Sequence, residues 1–392
     1  MSESKSIHPS NKQEQAKGQE PVEARQALKQ MKPYSPGKPI WEVQAELGLD
    51  RVIKLASNEN PLGASPKAVE AVQRFLGEVH RYPDAGAVRL RQALAEQLEL
   101  SPEQLIVTNG GDELLTLMSE AFLEEGDEIV APTPTFSEYE FGASLMGAVT
   151  VSVPFEEGFR YNIDTLLEAV TERTKFVCIC SPNNPTGTYL PRNELLRLLE
   201  ALPSRVLVVY DAAYSHYATA NDYTDGMEFV RSGYPILVVQ TFSKIFGLAG
   251  IRVGFGAASE AVIRSILQVK EPFNVNALAQ VAASGAITDR AHIEASRRVN
   301  TEGRQWLYQA LDTLGLSYTE SMSNFVLVEL GSGAQQIYER LMRKGIIVRY
   351  GAIWGLPQCV RVTVGTEEEN RLFISALSEV LQETRTELKP VQ

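Results

Sequence analysis

The chain has 392 residues, 44% of them apolar and 22% charged, with a formal net charge of −12. That length suggests two to three domains and a large core, and the acidic balance without a basic stripe excludes nucleic acid and anionic membrane surfaces as partners. Three cysteines (Cys178, Cys180, Cys359) in no zinc-binding spacing, no apolar run near the ~20 residues that span a bilayer, and no signal-peptide pattern together lead us to expect a reducing, cytoplasmic location and no metal.

Residues 1 to about 30 are rich in Ser, Gln, Lys and Glu, the composition of a disordered or partly helical arm. Pro33-Tyr34-Ser35-Pro36-Gly37-Lys38-Pro39 follows as a stiff extended segment that displays Tyr34, before a short helix expected around 41–47. Residues 53–63 read as a short strand running into the loop Ser57-Asn58-Glu59-Asn60-Pro61, where the proline fixes Asn60 as a rigid amide, suited to a ligand or to a simple turn. Helices are expected over 66–76 and 87–98, with Arg81-Tyr82-Pro83-Asp84 as the loop between them.

From about Leu105 short β-branched runs alternate with helical stretches, at 104–108, 128–131, 148–153, 175–180, 205–210, 236–240 and 251–256. Seven such runs predict an α/β fold with a mostly parallel, seven-stranded, doubly wound sheet covered on both faces. Beyond a break at Lys270-Glu271-Pro272-Phe273-Asn274, a long helix is expected over 292–314, then strands at 324–329, 346–350 and 359–364 with helices over 334–344 and 367–384. We therefore expect a large domain over 75–289 and a smaller α+β domain made of 31–74 with 290–392.

In doubly wound sheets, ligands bind outside the carboxyl ends of the strands, and the unusual polar residues cluster there. Gly111, Asp112 and Glu113 open a helix after the first strand, offering N–H groups and a positive dipole end to an anion. Phe136 follows the second strand, and Asn184 lies among the prolines after the fourth. Asp211 ends an apolar strand, where a carboxylate needs a cation or serves as a helix cap, and Tyr214 sits three residues on. Lys244 follows Ile236-Leu237-Val238-Val239, in a partly desolvated setting that lowers an amine's pKa and suits attack on a carbonyl. Ser243 beside it and Arg252, read as entering the seventh strand, could hold a phosphate. A phosphate, a protonated ring nitrogen, a ring hydroxyl, a stacking face and an amine for an aldehyde describe pyridoxal 5′-phosphate (PLP).

These motifs, with Leu55-Ala56-Ser57-Asn58-Glu59-Asn60-Pro61, Arg81-Tyr82-Pro83, Asn324-Phe325-Val326-Leu327 and Arg361-Val362-Thr363-Val364-Gly365, make the chain similar to fold-type I PLP-dependent aminotransferases, nearest to the histidinol-phosphate aminotransferase group. The likeness spans about 31–381. It implies that Lys244 holds PLP covalently and carries the proton between Cα and C4′, that Asp211 pairs with the pyridine nitrogen, and that Asn184 and Tyr214 hold the ring oxygen. Phe136 would stack on the ring, and Gly111, Asp112, Glu113, Ser243 and Arg252 would bind the phosphate. A homodimer is implied, with Tyr82 and Tyr34 given across the two-fold axis to cofactor phosphate and substrate. Arg361, aided by Arg349, would read the donor carboxylate and the substrate phosphate.

Relatives read Asp-Glu-Ala-Tyr where this chain has Asp211-Ala212-Ala213-Tyr214, and Trp354 lies near Arg349 in sequence. The expected activity is amino transfer between glutamate/2-oxoglutarate and imidazole-acetol phosphate/histidinol phosphate. The alternatives are an aromatic amino-acid aminotransferase on the same scaffold and a PLP-dependent decarboxylase of a phosphorylated amino acid. A transcription regulator is set aside, because some 30 polar residues cannot form a DNA-binding module.

Overall fold

The structure is a computed structural model that describes residues 22–31 and 37–387. Among these the strands run β1 (Ile53–Lys54), β2 (Leu105–Thr108), β3 (Glu128–Thr133), β4 (Val149–Pro154), β5 (Thr174–Cys180), β6 (Leu207–Asp211), β7 (Ile236–Thr241), β8 (Gly254–Ala257), β9 (Tyr318–Thr319), β10 (Phe325–Glu329), β11 (Ile346–Ile347), β12 (Arg349–Tyr350) and β13 (Cys359–Thr363). The central sheet has the order β2-β8-β7-β6-β5-β3-β4. Its pairings are parallel from β4 through β7, and β8 runs antiparallel to both β2 and β7. The mostly parallel, seven-stranded sheet expected from the sequence is thus present.

The middle strands are apolar along their centres because both their faces are buried. Val177, Val208 and Val238 feed one core, whereas the alternating Cys178, Val209 and Val239 feed the other. Polar residues are therefore confined to the strand ends, and β5, β6 and β7 end side by side at Cys180, Asp211 and Thr241. A second, antiparallel sheet, β12-β13-β10-β9, packs its Val326, Val328, Val360 and Val362 against Leu307, Phe373 and Leu377 of the helices Arg290–Leu314 and Glu367–Glu387.

Three local expectations change. The last central strand begins at Gly254 rather than 251, because Ala249–Ile251 forms a 3-10 turn and Arg252 takes left-handed backbone (φ 60°) before the strand starts. The strand expected over 346–350 divides: β11 pairs in parallel with β1, and β12 pairs with β13. A helix at Ala277–Ala286, absent from the sequence reading, buries Ala279, Ala282, Ala283 and Ala286. Its small side chains let it approach the helix Pro66–Phe75 closely, and a Cβ on Gly285 would stand 2.6 Å from the Lys67 carbonyl oxygen. Among the described residues no helix is long and apolar enough to cross a membrane.

Candidate active site

A cavity of about 300 Å³ opens at the carboxyl ends of β5, β6 and β7. It gathers Gly111, Asp112, Phe136, Asn184, Asp211, Tyr214, Ser243, Lys244, Arg252, Arg349 and Arg361 into one lining. Of the remaining sequence candidates, Glu113, Tyr82 and Asn60 lie off this lining. Glu113 turns its carboxylate to the backbone N–H of Asn109 (2.6 Å) and the amide of Asn274 (2.7 Å). Tyr82 is 84% exposed, with its ring stacked on Phe273 at 4.9 Å. Tyr34 falls outside the described residues.

Asn60 also lies off the cavity. Its amide donates to the Ile245 carbonyl (2.8 Å) and to Ser296 Oγ (2.9 Å), while its Oδ1 accepts from the Leu62 N–H. It thereby ties the loop to the turn that carries Lys244, a structural task. The asparagine of this loop that faces the cavity is Asn58, whose backbone is left-handed (φ 56°). The sequence held no signal separating the two beyond the proline after Asn60, which pointed to the wrong one.

At the base of the cavity Asp211 is buried. Its two oxygens accept from Tyr139 Oη (2.8 Å) and from the Ala213 N–H (3.0 Å). Burial pushes its carboxyl up to about 6, against the lowering pull of these two bonds. A carboxylate in this state favours a cation placed in the cavity beside it. Tyr139 is a contributor the sequence reading passed over, since an aromatic in the helix Glu138–Met146 reads as ordinary core.

Lys244 follows β7 and donates to the Ser57 carbonyl (3.2 Å), with its Nζ 5.6 Å from the centre of the Tyr214 ring. Burial, reinforced by the Arg361 charge, lowers its amine to about 8. About half of it is then neutral near pH 8, ready to act as nucleophile or base. Tyr214 is buried and its phenol raised by that burial, so it stays protonated and able to donate.

The helix Gly111–Phe122 points its N-terminal N–H groups at the cavity. Arg252 donates to Ser243 Oγ (3.5 Å) and the Ala249 carbonyl (3.1 Å) and pairs with Asp112 (3.3 Å). Its guanidinium lies so close to the loop that a Cβ on Gly110 would stand 2.5 Å from it, and Gly110 also has φ +94°, so only glycine suits this position. Helix N-terminus, hydroxyl and guanidinium together form an anion cradle.

On the facing wall Arg361 is buried. It donates to Asn184 Oδ1 and to the Ala56 carbonyl (2.7 Å). Its guanidinium carbon lies 5.1 Å from the centre of the Phe325 ring and 4.9 Å from that of Trp354. Arg349 is half-buried on the same lining. Ala212, the departure from the usual acidic residue, does not reach the cavity: it is fully buried within the apolar core under the sheet.

The model for the family described as aminotransferase class I and II matches residues 50–377. The chain is 47% identical over 378 residues to the histidinol-phosphate aminotransferase of Moorella thermoacetica, covering 95% of this chain and 98% of that one. It is 43% identical over 357 residues to the same enzyme of Bacillus subtilis, covering 91% of this chain and 99% of that one. Among solved structures, it is similar to histidinol-phosphate aminotransferase from Sinorhizobium meliloti in complex with pyridoxal-5′-phosphate, with TM-score 0.85, 25% identity, and 92% and 97% of the two chains covered.

Proposed function

The chain belongs to the class I and II aminotransferases, and from that premise we propose that it is a histidinol-phosphate aminotransferase using glutamate/2-oxoglutarate as the other pair. The observation that carries the substrate is identity of 47% over 95% of the chain with a relative of that name, sustained in a cavity that holds a buried arginine fork, Arg361, with Arg349 beside it. A planar fork accepts a carboxylate or a phosphate bidentately, so one residue serves both half-reactions.

PLP is the cofactor, and the residues present fit it. The buried Asp211 carboxylate fits a protonated ring nitrogen, the cradle of Gly111, Asp112, Ser243 and Arg252, with the backbone of Glu113, fits its phosphate, and the Lys244 amine fits its aldehyde. When bound, it supplies an electron sink for the charge that develops at the substrate's α-carbon. Phe136 would flank the ring, while Asn184 and Tyr214 would hold its oxygen. Lys244, once freed, would take and return the α-proton, a task suited to an amine held near 8. Arg361 would fix the substrate's anionic end, so that the α-hydrogen faces Lys244.

A homodimer completes this reading. Tyr82 is 84% exposed and stacks on the exposed Phe273, and Leu76 and Val79, a few residues before it in sequence, are exposed as well, which suits a surface that meets a second copy of the chain. Tyr82 would then reach the partner's cofactor phosphate and Tyr34 the partner's substrate. Three free cysteines, two of them buried, fit a cytoplasmic setting.

The test is kcat/KM for histidinol phosphate against phenylalanine and tyrosine, with 2-oxoglutarate as acceptor. A preference of several orders of magnitude for histidinol phosphate is expected; comparable or reversed values would make the protein an aromatic amino-acid aminotransferase, with Arg349 and Arg361 reading carboxylates.

A further inference from the structure

Asn58 occupies a buried, left-handed position that few residue types tolerate, and every polar group it has is used. Its N–H donates to Thr363 Oγ1 (3.0 Å), and its carbonyl accepts from the Asn324 amide (3.0 Å). Thr363 Oγ1 lies 3.1 Å from Asn58 Oδ1 and donates its single proton there. That fixes which way the Asn58 amide is turned: its NH₂ group faces Tyr214 and donates to the phenolic oxygen at 2.9 Å. Tyr214 Oη therefore accepts from Asn58, and its own proton is left for a ligand in the cavity that both residues line.

We propose that Asn58 is a positioning residue that sets the direction of the Tyr214 phenolic proton, so that Tyr214 donates to the ring oxygen of the bound cofactor instead of turning its proton into the protein. Thr363 acts one step behind it. Thr363 and Arg361 are two apart on β13 and so share a face, which means the strand that carries the anion fork also holds the Asn58 amide. The titratable and charged groups facing Tyr214 are the Lys244 amine, the Arg361 guanidinium, the Asp211 carboxylate, the Cys180 thiol and the Tyr217 phenol. Of the polar side chains here, Asn58 alone is hydrogen-bonded to the phenol in the described residues.

The inference rests on Tyr214 facing the cofactor oxygen, and the experiment separates the two claims. The holoenzyme is titrated with pH while the visible absorbance of the lysine-bound cofactor is followed. A hydrogen bond donated to an anionic oxygen favours the deprotonated form, so its loss raises the midpoint. Tyr214→Phe is expected to raise it by about one pH unit, the size of one such bond. Asn58→Asp, which offers Tyr214 an acceptor and reverses its proton, is expected to raise it at least as far. Asn58→Gly keeps the left-handed backbone and both main-chain bonds, and is expected to raise it by roughly half as much. In the Tyr214→Phe background, Asn58→Gly should shift nothing further, since its effect passes through the phenol; a merely structural loss would shift both backgrounds alike.

A parent-like midpoint in both Asn58 variants, with Tyr214→Phe shifted, overturns the role of Asn58 and leaves the site intact. A shift from Asn58→Gly that persists without the phenol also overturns it. No shift in Tyr214→Phe itself removes Tyr214 from the cofactor oxygen, and the inference falls with it.

Discussion

On one wall of the cavity Asn184, Asp211 and Lys244 lie at or just beyond the ends of three neighbouring parallel strands; on the other, Asn58, Arg349, Trp354 and Arg361 come from a left-handed loop, a turn and two paired strands of a second sheet. The first wall is local in origin. An apolar run ends, the sheet face stops, and the next polar residue is placed at the strand end whatever the rest of the chain does. The second wall is assembled over long range: Asn58 meets Thr363 across 305 residues of sequence. The wall that carries the lysine and the carboxylate can thus be read from periodicity, whereas the wall that carries the arginines and Asn58 needs the fold.

The largest effects are expected on the local wall. Lys244→Ala should reduce turnover by about four orders of magnitude, the upper end of what a positioned proton-transfer group supplies, and abolish the absorbance of the lysine-bound cofactor while the fold survives. Stopped-flow transamination with purified protein checks this; residual turnover within tenfold of the parent would remove Lys244 from the chemistry.

Asp211→Asn is the next step down, and it splits function from stability. Turnover should fall about 10²- to 10³-fold, as when a preorganised charge is removed from a reacting centre. Stability should move the other way in the cofactor-stripped protein. The native carboxyl stands near 6, above its ordinary 3.8, so the native state holds that proton more tightly than the unfolded chain. Its contribution is complete below about pH 4 and is lost as pH rises through 6, leaving at pH 8 a penalty on the order of 3 kcal/mol that the amide removes. Thermal melts of stripped parent and variant should therefore coincide near pH 3, diverge by about half of the full difference at pH 5, and diverge fully at pH 8. A variant that melts lower than the parent at pH 8 would contradict the burial penalty assigned to the Asp211 carboxylate.

How far the sequence carried the site follows the same division. Lys244, Asp211, Asn184 and Tyr214 were legible because apolar strands announce them, and Gly111 because a helix opens there. The central strands were legible for the same reason, apart from the left-handed turn at Arg252 that delays β8. Asn58 and Asn60 could not be told apart, since which of two amides faces a cavity depends on one positive φ and on Thr363 far away. Tyr139 was hidden in a helix whose periodicity explains it as core. The helix Ala277–Ala286 was hidden because alanines carry little amphipathic contrast, although they are what permits its close packing.

The long-range wall should respond in binding more than in turnover. Arg361→Ala is expected to raise KM for glutamate and for histidinol phosphate together by about 10- to 100-fold, one or two charge-assisted hydrogen bonds. A rise for one substrate alone would show that the two anions use separate readers, with Arg349 taking the other.

The smallest effect tests how that fork is held. Arg361 lies over the rings of both Phe325 and Trp354, so two aromatic faces help to hold it as well as Asn184 and Ala56. Phe325 sits in the buried sheet, whereas Trp354 is a half-buried lining residue on the turn after β12, outside the apolar core clusters, and can be changed without opening a core. A partly exposed cation–π contact is worth about 0.5–2 kcal/mol, so Trp354→Leu should raise KM for both substrates about 2- to 30-fold with kcat nearly unchanged, and Trp354→Phe should restore most of the loss. If Trp354→Leu instead leaves KM for glutamate alone and weakens only histidinol phosphate, the indole touches the substrate side chain rather than bracing the arginine. Trp354 would then be a specificity contact, and the long-range wall would read two parts of the substrate instead of one.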